Sequence, residues 1–217
     1  MRFFKYLGIF LLLLLVGTLA YAGWVFRQLR SQNIQDLGVR YTAADYDSAV
    51  KTKAGVIVPD DPSLLFLGSK FRTEGSQKID QVFSDAEISA IQNISNEKHG
   101  PFKQVQIHFL GGNQVEASGV VIDPRVPKTG PVYVKGSLVQ TGPRSFDISG
   151  IQELRVGDYK VPAPIAQQAK AEFTQYVNGI LADIEGLNVE KVEIQDGKVH
   201  FTGSVPKKVI SLEDFAK

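Results

Sequence analysis

Residues 162–206 read PAPIAQQAKAEFTQYVNGILADIEGLNVEKVEIQDGKVHFTGSVP and combine the signals of a helix, a glycine stop and a β-hairpin. Pro162 suits the first helical turn, because proline lacks only an N–H group that has no partner there. Gly186 suits a left-handed helix end, and Asp196-Gly197 suits a tight turn between two strands. The apolar residues of the helix fall on one stripe about 100° wide, and they are Ala166, Ala169, Phe173, Tyr176, Val177, Ile180 and Ile184. We therefore expect a long amphipathic helix that lies on a sheet.

The N-terminal segment contains an uncharged run that begins at Tyr6 and ends at Phe26. As a helix it would extend about 31 Å, close to the thickness of the hydrocarbon core of a bilayer. Basic residues precede the run, and residues 20–22 (AYA) match a signal-peptidase site, so a cleaved signal peptide is one interpretation. Trp24 continues the apolar run beyond that site, which favours a retained single-pass anchor in the cell membrane. Either way we expect the main domain outside the cytoplasm, secreted if the segment is cleaved.

The composition narrows the classes of chemistry that are open to the chain. Of its 217 residues 43% are hydrophobic, enough for one domain beyond the N-terminal segment. Once Arg2 and Lys5 are set aside, 22 basic and 23 acidic residues remain, and this balance indicates no nucleic-acid partner. The chain has no cysteine, which excludes disulfides, thiolate catalysis and cysteine metal sites.

Catalytic and metal-binding motifs are missing from the sequence. It has no nucleophile elbow, phosphate loop, dinucleotide fingerprint or zinc-protease motif. His99, His108 and His200 are expected in a loop or on polar strand faces, where a solvated histidine is commoner than a metal ligand. The aspartate pairs at 45/47 and 60/61 lack the spaced oxygen ligands of a calcium loop. We therefore predict a non-catalytic protein with no metal site and no cofactor.

Two similar helix starts precede the strands. Thr42 is followed three residues later by Asp45, and Ser84 by Glu87, so both match the capping box that fixes a helix N-terminus. These starts represent either two copies of a repeated unit or one capping solution used twice, and the flanking residues do not repeat. The second helix is expected to end before Gly100 and to bury three isoleucines, Ile88, Ile91 and Ile94.

The strand pattern predicts an antiparallel meander. Residues 55–58 and 64–67 indicate two short strands, and residues 69–80 a loop. After Pro101 the apolar residues alternate, which predicts four strands, at 104–109, 114–122, 132–140 and 145–154. The predicted class is α+β, with an N-terminal transmembrane helix and one domain whose antiparallel sheet packs on the long helix. The division is 1–30 for the anchor or signal peptide, 31–82 for a stalk with a small helix and strand region, 83–206 for the α+β domain and 207–217 for a C-terminal tail.

Residues 83–206 resemble small exported bacterial proteins of the tubular lipid-binding (TULIP-like) class. The resemblance is carried by the capped helix 84–96, the meander 103–154, the stretch VPAPI at 161–165 with its long helix, and the sequence GLNVEKVEIQDG at 186–197. In that class a curved sheet wraps a long helix and leaves an apolar groove for acyl chains. The resemblance therefore implies a curved sheet and a lipid-binding groove in this chain.

Two function classes follow from these observations. The first is a membrane-anchored, extracytoplasmic domain that binds a lipid or another apolar ligand, and the second is a structural or protein-interaction module of the cell envelope without a ligand cavity. An enzyme is a distant third, and no protein partner is indicated. A binder has a lined concavity, whereas an interaction module has a closed core and a surface patch. The residues predicted to contact the ligand are Phe109, Phe173, Val177, Ile180, Val199 and Phe201.

Overall fold

A computed structural model describes residues 2–65, 70–122 and 130–212, without the side chains of residues 2–15, 172, 173 and 176. In these residues the α-helices are α1 (Arg2–Leu29), α2 (Ala43–Tyr46), α3 (Asp85–Ser95) and α4 (Ala163–Ala182). The strands are β1 (Phe71–Glu74), β2 (Gln77–Ser84), β3 (Phe102–Gly111), β4 (Gln114–Val121), β5 (Val132–Gly142), β6 (Ser145–Val156), β7 (Tyr159–Lys160), β8 (Asn188–Gln195), β9 (Lys198–Val205) and β10 (Lys208–Ser211).

Helix α1 contains the whole uncharged run of residues 6–26. Among the residues that the structure describes, no helix is both long and apolar enough to cross a bilayer. The side chains of residues 6–15, the leucine-rich part of the predicted span, lie outside the described residues. Membrane attachment through this run stays a prediction.

The strands form three antiparallel sheets. Strands β3 to β7 make a five-stranded meander in chain order, β2, β9 and β8 make a three-stranded sheet, and β1 pairs with β10. The α+β class and the antiparallel pairing are thus confirmed, and so are the four predicted meander strands and the closing hairpin β8–β9. The single sheet of the prediction is wrong, because β2 joins the hairpin through β9 and makes it a separate sheet.

The region between the two capped helices differs from the prediction. Residues 55–58 form no strand, and Ile57 makes only one bridge, to Lys208. Pro62–Leu65 form a 3₁₀ turn in place of the strand at 64–67, whose last two residues lie outside the described part. The loop predicted at 69–80 contains β1 and the start of β2 instead. The alternation in β2 is weak in sequence because the polar Gln77 and Gln81 share the inward face with the apolar residues, while the apolar Val82 lies on the outward face.

Both predicted capping boxes are confirmed. The Thr42 N–H donates to Asp45 (2.7 Å), and the Ser84 N–H donates to Glu87 (2.8 Å). After the four residues of α2 the chain passes directly into a π-helical turn, Asp47–Lys53, which we call the π-turn. A helix starts where the sequence predicts it, but a different helix type continues it.

Helix α3 covers the free edge of β3 through three polar side chains at four-residue intervals. The Asn93 amide pairs with the backbone of Val105, accepting from its N–H (2.9 Å) and donating to its carbonyl (2.7 Å). The Ser89 hydroxyl accepts from the Ile107 N–H (2.9 Å), and Asp85 accepts from the next outward N–H, that of Phe109 (3.0 Å). Four residues of a helix advance about 6 Å and two residues of a strand advance about 6.8 Å. Every fourth side chain of α3 therefore stays opposite every second residue of β3.

Helix α4 covers the other long edge of the same sheet. The Asn178 amide pairs with the backbone of Phe146 on β6, at 2.9 Å and 2.8 Å. The predicted packing of α4 on a sheet face is thus corrected, since the helix reaches the backbone of an edge strand. Of its predicted stripe, Ala166 is buried, Val177, Ile180 and Ile184 are half-buried and Ala169 is exposed, while the side chains of Phe173 and Tyr176 lie outside the described part.

The end of α1 is bonded directly to the domain. The N–H of Asp158 donates to the carbonyl of Gln28 (3.0 Å), and that of Gly130 donates to the carbonyl of Leu29 (2.5 Å). Gly157, at a φ of +58°, lies so close to α1 that a Cβ there would collide with the Gln28 carbonyl. Only glycine lets the turn between β6 and β7 approach the helix end this closely. Residues 31–39 then cross the sheet, where the side chain of Gln106 accepts from two of their N–H groups.

Candidate functional site

A concavity with a volume of about 260 Å³ lies between the π-turn, α3 and strands β2, β9 and β10. We call it the apolar groove. None of the described residues that line it is charged, and only Tyr46 and Ser95 bring a polar side-chain group. The lining consists of Tyr46, Ala49, Val50, Ala54, Val56, Val58, Leu65, Ile79, Phe83, Ile88, Ile91, Ser95, Phe201, Val205 and Val209.

The helical wall of the groove comes from α3 and the π-turn. Ile88 and Ile91 are three residues apart and therefore lie on one face of α3. Facing them, the π-turn contributes Ala49 and Val50, and the Ala54 N–H donates to the Ala49 carbonyl five residues earlier (3.0 Å). The wider π turn is rare and is frequently found at functional sites. Its coincidence with the groove marks this wall as the candidate site.

The sheet wall follows from the alternation of β2 and β9. Ile79 and Phe83 point to the groove side of β2, and Phe201 and Val205 come from β9, which pairs with it. The opposite face of this sheet carries the charged residues Asp80, His200 and Glu193. One apolar face and one solvated face are typical of an antiparallel sheet that is covered on one side.

A buried carboxylate holds the π-turn on α3. Glu87 is 4% exposed and accepts hydrogen bonds from the Ser48 hydroxyl (2.6 Å) and the Lys53 ammonium (2.7 Å). Lys53 also donates to the carbonyl of Val82 (2.7 Å). Burial acts to raise the pKa of Glu87, but the bonds from Lys53, Ser48 and the Ser84 N–H outweigh it, so this pKa lies below its usual value. The charged contact fixes the helical wall without entering the apolar lining.

The residues predicted to contact a ligand are not brought together at this groove. Phe201 lines it, and Val199 lies two residues away on the same strand. Phe109 is buried on β3, while Val177 and Ile180 are half-buried on α4, which packs against β6. The side chain of Phe173 lies outside the described residues. A contact of these six residues with one ligand stays a prediction.

Sequence reasoning missed most of the groove lining. The isoleucine stripe of α3 was a usable signal, and Ile88 and Ile91 do line the groove. Ala49 and Val50 carried no signal, because an α-helical period does not describe a π turn. Ile79 fell within the predicted loop. The groove is built from long-range pairing of β2 with β9, which no local pattern reports.

Two histidines outside the groove contact carboxylates. His108 Nδ1 contacts Asp85, the same carboxylate that accepts from the β3 edge. His200 lies between Asp80 and Glu193, and the hydrogen bond from this histidine is the main reason that the pKa of Asp80 is lowered. Within the described ranges, no three His, Asp or Glu side chains are arranged to hold a metal ion.

Comparison with protein-family models, with curated proteins and with solved structures finds no match to this chain. The resemblance to tubular lipid-binding proteins therefore stays a prediction.

Proposed function

We propose that this protein is a non-catalytic binder of an acyl chain or a similar elongated apolar ligand, held by α1 at a membrane with its domain outside the cytoplasm. The observation that carries the proposal is the apolar groove, whose walls contain no charged side chain among the described lining residues. Ligand sites are typically concave and apolar with a few placed polar groups, which fits this lining.

The size of the groove sets the length of chain that it accepts. A water-sized group occupies about 30 Å³ of liquid, and a methylene group is of similar size. The 260 Å³ of the groove therefore accommodates about eight methylene groups. Their burial contributes about 6 kcal/mol in gross terms, which is within the range of the cost of association itself. An acyl chain bound here is thus held weakly unless another part of the ligand also makes contacts.

Photolabelling of the full-length protein in membranes tests the proposal. A fatty acid with a diazirine at its terminal carbon should label peptides of the groove wall, from residues 46–58 or 79–95, in addition to any labelling of α1 by the bilayer. Ile91→Asp places a charge in the groove and should abolish the wall labelling. Val50→Phe fills the groove without a charge and should have the same effect in a variant whose unfolding is close to that of the parent.

Val139→Asp is the matched control, because this valine of β5 is 40% exposed and is not part of the groove lining. It should label as the parent does. Wall labelling that is equal in the parent and in a folded Val50→Phe variant would overturn the proposal. The structural or protein-interaction module of the cell envelope would then replace it.

The location is tested separately, and the absence of cysteine makes the test simple. A membrane-impermeant maleimide added to intact cells should modify a Lys191→Cys variant and leave an Arg2→Cys variant unmodified. The reverse pattern would place the domain in the cytoplasm. Modification of a soluble, shortened Lys191→Cys protein in the medium would instead show a cleaved signal peptide.

A further inference from the structure

A second concavity adjoins the apolar groove. Its volume is about 240 Å³, and it shares Tyr46 and Val58 with the groove, so these two side chains border both spaces. We call it the polar cavity. It is lined by Ala43, Tyr46, Asp47, Lys51, Val58, Pro59, Asp60, Pro62 and Ile94. An apolar space that opens beside a charged one is the shape that an amphiphile requires.

Tyr46 stands between the two spaces with an unused hydrogen-bonding group. The residue is only 4% exposed, yet its hydroxyl makes no hydrogen bond to any residue in the described part of the chain. Burial first, and then the charge of Asp47, raise the pKa of Tyr46 to about 12, so the hydroxyl keeps its proton and remains a donor. Solvent still reaches this hydroxyl, so it can donate to an acceptor on a ligand in the polar cavity.

The charges of the polar cavity have both signs. Lys51 and Asp47 form an ion pair (2.6 Å) whose side chains are more than half exposed, so a ligand can reach both. The Asp60 carboxylate is exposed and has no ion pair or hydrogen bond within the described residues. One ammonium and two carboxylates complement a head group that carries a phosphate and an ammonium together. A fatty acid or a purely anionic head would leave Asp60 facing no positive charge.

We propose that the ligand is a single-chain zwitterionic lipid, with its tail in the apolar groove and its head in the polar cavity. The phosphate accepts from the Tyr46 hydroxyl and pairs with Lys51, and the ammonium group pairs with Asp60. This inference rests on the proposed function, because it assigns the head group of the ligand whose tail the groove takes. It also supplies the additional contacts that a chain of about eight buried methylene groups needs.

The test is competition against the same photolabel on the full-length protein. The competitors are lysophosphatidylethanolamine, lysophosphatidylglycerol and an unlabelled fatty acid of equal chain length, all used below their micelle-forming concentrations. Lysophosphatidylethanolamine should suppress wall labelling at a concentration about tenfold lower than either of the others, the ratio expected from one charge-assisted contact. Tyr46→Phe should raise that concentration about tenfold or more, as expected from the loss of one hydrogen bond to a charged phosphate.

Asp60→Asn should remove the preference for the ethanolamine head over the glycerol head and leave competition by the fatty acid unchanged. Glu190→Gln is the matched control, since this carboxylate lies on β8 and is part of neither cavity lining. Equal competition by all three lipids, unaffected by Asp60→Asn, would overturn the head-group assignment while the groove remains a tail site. Competition by none of them, together with labelling that Val50→Phe does not change, would overturn the proposed function itself.

Discussion

Asn93 should be among the most important polar side chains for stability, because it serves the backbone of an edge strand. The residue is 9% exposed and makes three hydrogen bonds, two with Val105 and one to the carbonyl of Ser89 (2.8 Å). Asn93→Ala leaves the N–H and the carbonyl of the half-buried Val105 without side-chain partners under α3. Each unsatisfied buried group costs about 1–3 kcal/mol, so we expect a loss of about 3 kcal/mol in the free energy of unfolding.

In a chain of this size such a loss lowers the melting temperature by about 6–12 °C. Thermal unfolding of the full-length protein measures the loss of global stability, and hydrogen exchange at the Val105 amide measures the local loss of its hydrogen bond. Exchange at that amide should accelerate more than exchange in the centre of β5. The matched control is Gln168→Ala on the exposed side of α4, which should change the free energy of unfolding by no more than about 0.5 kcal/mol.

Asn93→Asp separates hydrogen bonding from packing, because the two side chains have nearly the same shape. At neutral pH the carboxylate still accepts from the Val105 N–H but cannot donate to either carbonyl, so the variant should be as unstable as Asn93→Ala. At low pH the protonated acid regains one O–H donor, and part of its deficit relative to the parent should disappear. A melting temperature of Asn93→Ala within 2 °C of the parent, with unchanged exchange at Val105, would refute the role of this amide in covering the edge.

Three further predictions follow from the surroundings of Glu87, Gly157 and Gly179. Glu87→Gln should cost about 2 kcal/mol at neutral pH through loss of the charged bonds. The pKa of Glu87 in the folded protein is below its ordinary value of 4.5, so the ionised carboxylate stabilises the fold above that pH and this contribution is lost as the pH falls through the folded pKa. In denaturant titrations the difference in the free energy of unfolding between the parent and Glu87→Gln should therefore shrink below about pH 4.5. Gly157→Ala should push the turn between β6 and β7 away from α1 and speed limited proteolysis near residue 30, whereas unchanged cleavage would show that the junction tolerates a Cβ. Gly179→Ala, at a helical position with nothing within 4 Å of the new atom, should raise the free energy of unfolding by about 0.5–1 kcal/mol, and a decrease would contradict the exposure of this face of α4.

Local signals explain which parts of the fold could be predicted from the sequence. The capping boxes at Thr42 and Ser84 and the Asp-Gly turn of β8–β9 are formed within a few residues, and each is found where the sequence predicts it. The alternation after Pro101 also succeeded, since each strand of the meander pairs with its neighbour in the chain. Secondary structure that depends on residues close together in the chain could therefore be predicted from the sequence.

Elements that pair with residues far away in the chain could not be predicted from the local sequence. Strand β2 exists because β9 pairs with it more than a hundred residues later, and β1 pairs with β10 within the predicted C-terminal tail. The groove could not be predicted for the same reason, because its sheet wall is built from β2 and β9. Its helical wall includes the π-turn, whose apolar residues do not follow the 3.6-residue period by which an α-helix is recognised in a sequence. The polar ladder of α3 was visible as Asp85, Ser89 and Asn93 at four-residue spacing, but a polar stripe usually indicates a solvated face.

The two covered edges of the five-stranded sheet are completed at different moments of protein synthesis. Asn93 leaves the ribosome 12 residues before Val105, so the cover of β3 exists before the strand does. Asn178 follows Phe146 by 32 residues, which at ordinary rates of translation is an interval of roughly 2 to 6 s. During that interval β6 presents free N–H and carbonyl groups to any nearby strand, including one from a neighbouring nascent chain. Nascent chains in which β6 has emerged from the ribosome but α4 has not are therefore the species in which this protein should be most prone to aggregate, and emergence of α4 should relieve it.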